Sequence, residues 1–153
     1  MIIVSGCLLG INCRYNGGNN YLPALHDLMK KGRVIPVCPE QLGGTPTPRP
    51  ASEIVGGDGR DVLLGKAKVL DINGRDVTEI FLKGAHEVLK IAKGSGAKEI
   101  IFKERSPSCG VKEIYDGTFS SKTIQGMGVT TALLEKEGCI IWTEENLPRE
   151  FKP

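Results

Sequence analysis

The chain has 153 residues, enough for one domain with a real core. It is 40% hydrophobic and 25% charged, with a formal net charge of +2. That balance excludes a disordered chain and argues against a partner recruited by charge alone, whether nucleic acid or anionic membrane. Twenty glycines and nine prolines gather in a few stretches, which points to long structured loops.

The first segment, "MIIVSGCLLG", is apolar but too short for a membrane span. It lacks the basic start and small-residue cleavage site of a signal peptide. It reads as a buried strand over 1–5, in a cytoplasmic protein. A Gly- and Asn-rich loop follows. "YLPALHDLMKKG" has Leu22, Leu25, Leu28 and Met29 at helical spacing and stops at Lys-Lys-Gly. "RVIPVC" (33–38) is the second strand. The stretch "PEQLGGTPTPRPASEIVGG" has four prolines within residues 39–50 and reads as one long loop. "AKVLDINGRDVT" predicts a small hairpin on an Asn73-Gly74 turn. Asp76 with Glu79 resembles a capping box. The amphipathic helix that follows presents Ile80, Ala85, Val88, Leu89 and Ala92 and stops at Gly94. "AKEIIFKE" (97–104) is the third strand, 123–138 a glycine-weakened helix, and "CIIWT" (139–143) the fourth strand.

Short apolar strands alternating with helices predict an α/β, Rossmann-like three-layer domain over 1–153. Its sheet is mostly parallel, in the order 2-1-3-4, with one small hairpin. All strand C-termini then share one edge. Cys7 follows the first strand, Cys38 ends the second, and Cys109 lies in the "SPSCG" loop after the third. That edge is where open α/β sheets bind ligands. Cys13 lies in the first of these loops, while Cys139 starts the fourth strand and falls at the opposite edge.

Three thiols without a fourth ligand do not suit structural zinc, which takes four N or S donors. His26 and His86 fall on helices away from the edge. Three cysteines suit an iron–sulfur cluster that leaves one iron open. The rival readings are a thiol redox protein using Cys7 and Cys13, which lacks CxxC, and a non-catalytic metal or iron–sulfur binding module. A nucleic-acid partner is the weakest, since there is no basic run and few aromatics.

"SGCLLGINCRYNGG", "PVCPEQLGGTPTPRPASEI", "GRDVTEIFLKGA", "KERSPSCGVKEIYDGTF" and "GVTTALLEKEGC" together resemble the thiouracil desulfurase family, formerly a domain of unknown function, in its short single-domain form. The resemblance implies a [4Fe-4S] cluster on Cys7, Cys38 and Cys109. It also implies removal of sulfur from a thiolated base or nucleoside, such as 2-thiouracil, to give uracil and sulfide. Cys13 is left out of the cluster. Glu104 stands where many members carry Ser.

The chemistry expected of such a site is a soft metal centre whose open iron takes the thiocarbonyl sulfur while water attacks the carbon, with no net electron transfer. Glu40, two residues from Cys38, is the best-placed general base. Its plain alternative is a loop carboxylate bonded to backbone N–H groups. Ser106 is a candidate for proton transfer or substrate binding, or else a turn cap. Ser108 is a candidate donor to the cluster. Asn12, Arg14, Tyr15 and Arg49 rank lower as contacts to the heterocycle. The glycines at 126 and 128 offer either an anion site at a helix start or close packing.

Overall fold

The computed structural model describes residues 1–152. β1, Ile2–Ser5, is buried along its length and runs into a 3₁₀ turn over Gly6–Leu9. α1 spans Pro23–Lys30, β2 Val34–Val37 and the one-turn α2 Pro39–Leu42. β3 (Ser52–Val55), α3 (Gly59–Leu63) and β4 (Lys68–Asp71) follow. α4 covers Thr78–Ser95 and leads into β5, Glu99–Phe102. β6 (Glu113–Tyr115), β7 (Thr123–Gln125), α5 (Val129–Lys136), β8 (Ile140–Thr143) and a 3₁₀ turn over Arg149–Phe151 complete the order.

The main sheet has the order β2-β1-β5-β8, parallel throughout. This is the predicted 2-1-3-4 order of the core strands. Alternation divides the strand side chains between two faces. Ile2, Val4 and Ile101 pack with Leu25 and Leu28 of α1 and with Phe151. Ile3, Ile100 and Phe102 pack with Val88 and Ala92 of α4 and Leu134 of α5. Each such buried side chain contributes about 2 kcal/mol of apolar transfer energy. Helical layers on both faces make the expected three-layer arrangement. A third cluster, including Ile54, Val69, Phe81, Ile114 and Val129, ties the two small antiparallel pairs, β3–β4 and β6–β7, to α4 and α5.

Several local expectations need correction. The Asn73-Gly74 turn forms, with Gly74 at φ 81°, but its second arm makes only the bridge Leu70↔Asp76. The true partner of β4 is β3, recruited from the supposed loop. That loop also begins with α2, because Pro39 sits at the first helical position, where its missing N–H is harmless. Asp76 is not half of a capping box: its Oδ1 accepts Thr78 N–H at 3.0 Å, and Val77 is the cap. The reciprocal box belongs to α3, on Asp58 and Asp61. Residues 123–125 are a fully exposed strand rather than helix, so the helix starts only at Val129. Met29 is exposed, whereas Leu25 and Leu28 hold the apolar face of α1.

Two glycines let elements approach closely. A Cβ on Gly84 of α4 would overlap the Pro39 carbonyl oxygen, so Gly84 permits α4 to lie on α2. A Cβ on Gly128 would overlap the Ser108 carbonyl carbon, so Gly128 permits α5 to begin against the SPSCG loop. No helix among the described residues is long and apolar enough to cross a membrane.

Candidate active site

A cavity of about 370 Å³ opens at the C-terminal edge of the sheet. Cys7 enters it from the turn after β1, Cys38 from the cap of α2, and Cys109 from the loop after β5. The convergence predicted from strand order is therefore present. Cys13 also lines the cavity and is buried. Cys139, His26 and His86 do not line it. Among the described residues, no three His, Cys, Asp or Glu side chains are grouped so as to hold a single metal ion.

The thiols have unequal acidity. A hydrogen bond from Cys13 brings Cys7 down to about 7 against the opposing effect of burial, helped by Asn20 and the Lys103 cation. Cys38 also comes down to about 7, through Cys13 and then the Gln41 backbone N–H, with Arg49 assisting. Cys13 is pushed far up by its thiol neighbours Cys38 and Cys7 and by burial, and keeps its proton; its carbonyl accepts the Cys38 thiol at 3.7 Å. Burial pushes Cys109 up, partly offset by hydrogen bonds with Ser108 and Ser5. Cys7 and Cys38 are thus the thiols of this wall that ionise most readily, as metal binding requires.

The Cys109 loop is built on a buried carboxylate. Glu104 is 3% exposed. Its Oε1 accepts N–H from Val111 at 2.7 Å, Lys112 at 3.0 Å, Glu113 at 3.2 Å and Arg105 at 3.3 Å. Glu104 is therefore the organising acceptor of this loop. Ser106 Oγ accepts N–H from Ser108 at 3.2 Å and Cys109 at 3.1 Å, the turn-capping role. The first N–H groups of α5 are all taken: Gly128 donates to Gly110, Val129 to Pro107, and Thr130 and Thr131 to Ser108. The anion-binding reading of that glycine-rich start is overturned, and close packing replaces it.

Glu40 reaches the same wall. Its Oε1 pairs with Arg49 Nε at 3.1 Å, in a pair whose side chains are 5% and 15% exposed for Arg49 and Glu40. Its Oε2 accepts the Ser108 hydroxyl at 3.2 Å. Ser108 Oγ lies 3.7 Å from Cys109 Sγ and 3.0 Å from Ser106 Oγ. Ser108 has one proton, so it donates either to the carboxylate or to the sulfur at a given moment. Arg49 is spent on protein acceptors: besides Glu40 it binds the carbonyls of Cys13 at 2.8 Å and Pro46 at 3.3 Å, and Thr47 Oγ1 at 3.0 Å. It clamps the first loop to the second. Arg14 and Tyr15 line the cavity, with the Arg14 guanidinium 5.8 Å from the Tyr15 ring centre. Asn12 does not line it and accepts a bond from Asn19.

The sequence reading missed Ser5, Asn20, Glu53, Lys103, Tyr115 and Phe119, all on the cavity wall. Ser5 was legible in hindsight as the polar end of an apolar strand; its Oγ accepts Lys103 N–H at 3.0 Å. Glu53 and Phe119 lie inside two of the stretches that carry the family resemblance, but no local pattern gave them a role, because they reach the cavity through hairpins not predicted there.

A family model for 2-thiouracil desulfurase matches residues 2–146. The chain belongs to the 2-thiouracil desulfurase family. It is 48% identical to the uncharacterized protein YbbK of Bacillus subtilis (strain 168), over 96% of this chain and 97% of that one. Its fold is similar to a solved [4Fe-4S]-dependent thiouracil desulfidase, TudS (DUF523Vcz). The TM-score is 0.85 at 40% identity, covering 96% of this chain and 92% of that one. The desulfurase family stretches read from the sequence, "SGCLLG", "CPEQLGG" and "SPSCG", all lie inside the matched span. In this desulfurase-family chain they are the stretches that carry the three thiols to one cavity.

Proposed function

We propose that this chain removes sulfur from a thiolated pyrimidine, with 2-thiouracil as the type substrate, by a [4Fe-4S]-dependent, non-redox hydrolysis of the C=S group. The reaction balances as thiouracil plus water giving uracil plus hydrogen sulfide. The observation that carries the reading is the convergence of Cys7, Cys38 and Cys109 from three neighbouring strand ends onto a cavity that also holds the Glu40–Ser108 pair. The family and its [4Fe-4S]-dependent relative support the same chemistry.

The donor set fits the cofactor: three soft sulfur ligands, two of them with raised thiol acidity, and no histidine on the cavity wall. Cys7, Cys38 and Cys109 would hold it. When bound, a [4Fe-4S] cluster on three thiolates supplies an open iron, a Lewis acid for the thiocarbonyl sulfur. The chain's own residues handle the protons. Glu40, held in place by Arg49, accepts a proton from the attacking water through the carboxylate oxygen that now takes the Ser108 hydroxyl. Ser108 and Ser106 form a hydroxyl relay from that carboxylate toward Cys109. Lys103 also lines the cavity, but its ammonium is paired with Glu144 at 2.6 Å and donates to the Glu104 carbonyl at 3.0 Å, so it adds only a minor positive field at Cys7.

The test is anaerobic reconstitution with iron and sulfide, with iron counting and measurement of sulfide release from 2-thiouracil. About four irons per chain are expected in wild type and in Cys13→Ala, and few or none in Cys7→Ala, Cys38→Ala or Cys109→Ala. Equal loss from Cys13→Ala and Cys109→Ala would sink the ligand assignment.

The presence of Cys13 as a buried free thiol on the same wall as Cys7 and Cys38 favours one second reading, dithiol redox chemistry. It takes first place if Cys13→Ser abolishes turnover while Cys109→Ser keeps it.

A further inference from the structure

Three non-glycine residues among those described adopt a left-handed backbone: Arg105 (φ 67°), Phe119 (φ 55°) and Ser121 (φ 63°). All three line the cavity. Bulky side chains rarely adopt this conformation, and it persists only where the surroundings impose it. At Phe119 the imposing group is Glu53. This β3 carboxylate is 9% exposed, and its Oε1 accepts N–H from Gly117 at 2.9 Å and from Phe119 at 3.2 Å. The hairpin tip is tied further by Asp116, whose N–H donates to Lys122 O at 2.9 Å and whose Oδ1 accepts Thr118 N–H at 2.9 Å.

Phe119 is half-buried and belongs to none of the three core clusters. Its position therefore owes little to folding. Tyr115 and Tyr15, also outside those clusters, line the same cavity. An aromatic ring carried on a tied backbone at a cavity wall is what a planar heterocycle stacks on. We propose that Phe119 is the stacking face for the substrate ring, and that Glu53 is the positioning residue that sets it. This assignment rests on the desulfurase reading for the nature of the ring. Stacking is indifferent to ring substituents, so it serves any thiolated pyrimidine and also holds the desulfurised product.

The experiment uses two readouts. The first is binding of uracil, followed by ligand NMR with transfer from its ring protons to the Phe119 ring. The second is kcat and KM for sulfide release from 2-thiouracil by reconstituted enzyme. Phe119→Ala is expected to weaken uracil binding and raise KM by about tenfold, with iron content kept and kcat within about twofold. Phe119→Tyr restores both. Glu53→Ala gives the same KM-weighted loss, and Glu53→Gln, which keeps an oxygen acceptor, recovers most of it. No uracil binding by wild type, an unchanged KM in Phe119→Ala, or loss of iron in that variant overturns the inference. A wild type that binds uracil against Phe119 and holds its irons, yet releases no sulfide, overturns the desulfurase reading and leaves the stacking face standing.

Discussion

The two ends of the parallel sheet are built from similar residues and do opposite things. At the C-terminal end, Ser5, Glu53, Glu104 and Ser108 are buried polar groups, each hydrogen-bonded, and four of the five cysteines line one cavity. At the N-terminal end, Glu135, Lys136 and Glu137 are exposed, and Cys139 is a half-buried thiol pushed up by burial. Cys139 and Cys38 are both half-buried, yet their acidities move in opposite directions. The difference lies in the neighbours. Cys38 has a thiol donor and a helix-start N–H; Cys139 has mainly desolvation. Burial alone silences a thiol, and burial with donors activates it.

That contrast can be broken from either side. The largest effect is expected from Glu40→Gln, which keeps the size of the side chain and removes the base. kcat should fall about a thousandfold with iron content unchanged, read as sulfide release per reconstituted iron. Full activity in this variant would move the base elsewhere.

Next come two substitutions under the Cys109 loop. Gly128→Ala drives a methyl group into Ser108 and should cost about 3 kcal/mol, seen as a lower urea midpoint at constant slope. Glu104→Ala leaves four backbone N–H groups without their acceptor and should cost about the same. Both variants should also lose iron. A stable Glu104→Ala with a normal iron count would show that the loop stands without its carboxylate.

A smaller effect is expected at Asp58, which caps α3 away from the thiol wall. Burial pushes its carboxyl up, but hydrogen bonds from the Arg60 side chain and from Met127 and Arg60 N–H outweigh that and hold it below the usual range. A depressed folded-state pKa gives stability that is present above the unfolded value of about 4 and lost as pH falls through the folded value. Asp58→Asn should therefore cost about 1 kcal/mol at pH 7 and progressively less under acid, measured by denaturant titration at several pH values. A penalty that stays constant with pH would mean that the amide lost packing and not charge.

The smallest effect belongs to the silent end. Cys139→Ser should leave iron content and turnover within about twofold. In the cluster-free chain at pH 7.5, iodoacetamide should label Cys38 before Cys139. The reverse order would contradict the role given to Cys13 as donor.

Much of this was readable in the chain. The core strands and the long helix α4 are amphipathic or largely apolar, so local pattern and burial agree. Strand order then carried Cys7, Cys38 and Cys109 to one edge. Cys13 was harder: its spacing places it in the right loop, but only the fold shows that it is buried on the same wall as the other three. Glu104 looked like a departure from a serine pattern and is the hub of four backbone hydrogen bonds. Ser106 offered either a proton carrier or a turn cap; its oxygen accepts two N–H groups of the turn while it lies 3.0 Å from the Ser108 hydroxyl.

The sequence by itself determined the α/β class, the core strand order, the family and the edge where the thiols meet, because apolar periodicity and short motifs act over neighbouring residues. Only the tertiary structure decided which thiols are acidic, that Arg49 is committed to the Glu40 carboxylate, the Thr47 hydroxyl and two carbonyls, and that Glu53 and Phe119 reach the cavity from hairpins. Those outcomes depend on hydrogen bonds between residues far apart in the chain, such as Ser108 with Glu40 and Phe119 with Glu53. No local pattern encodes the partner at the other end of such a bond.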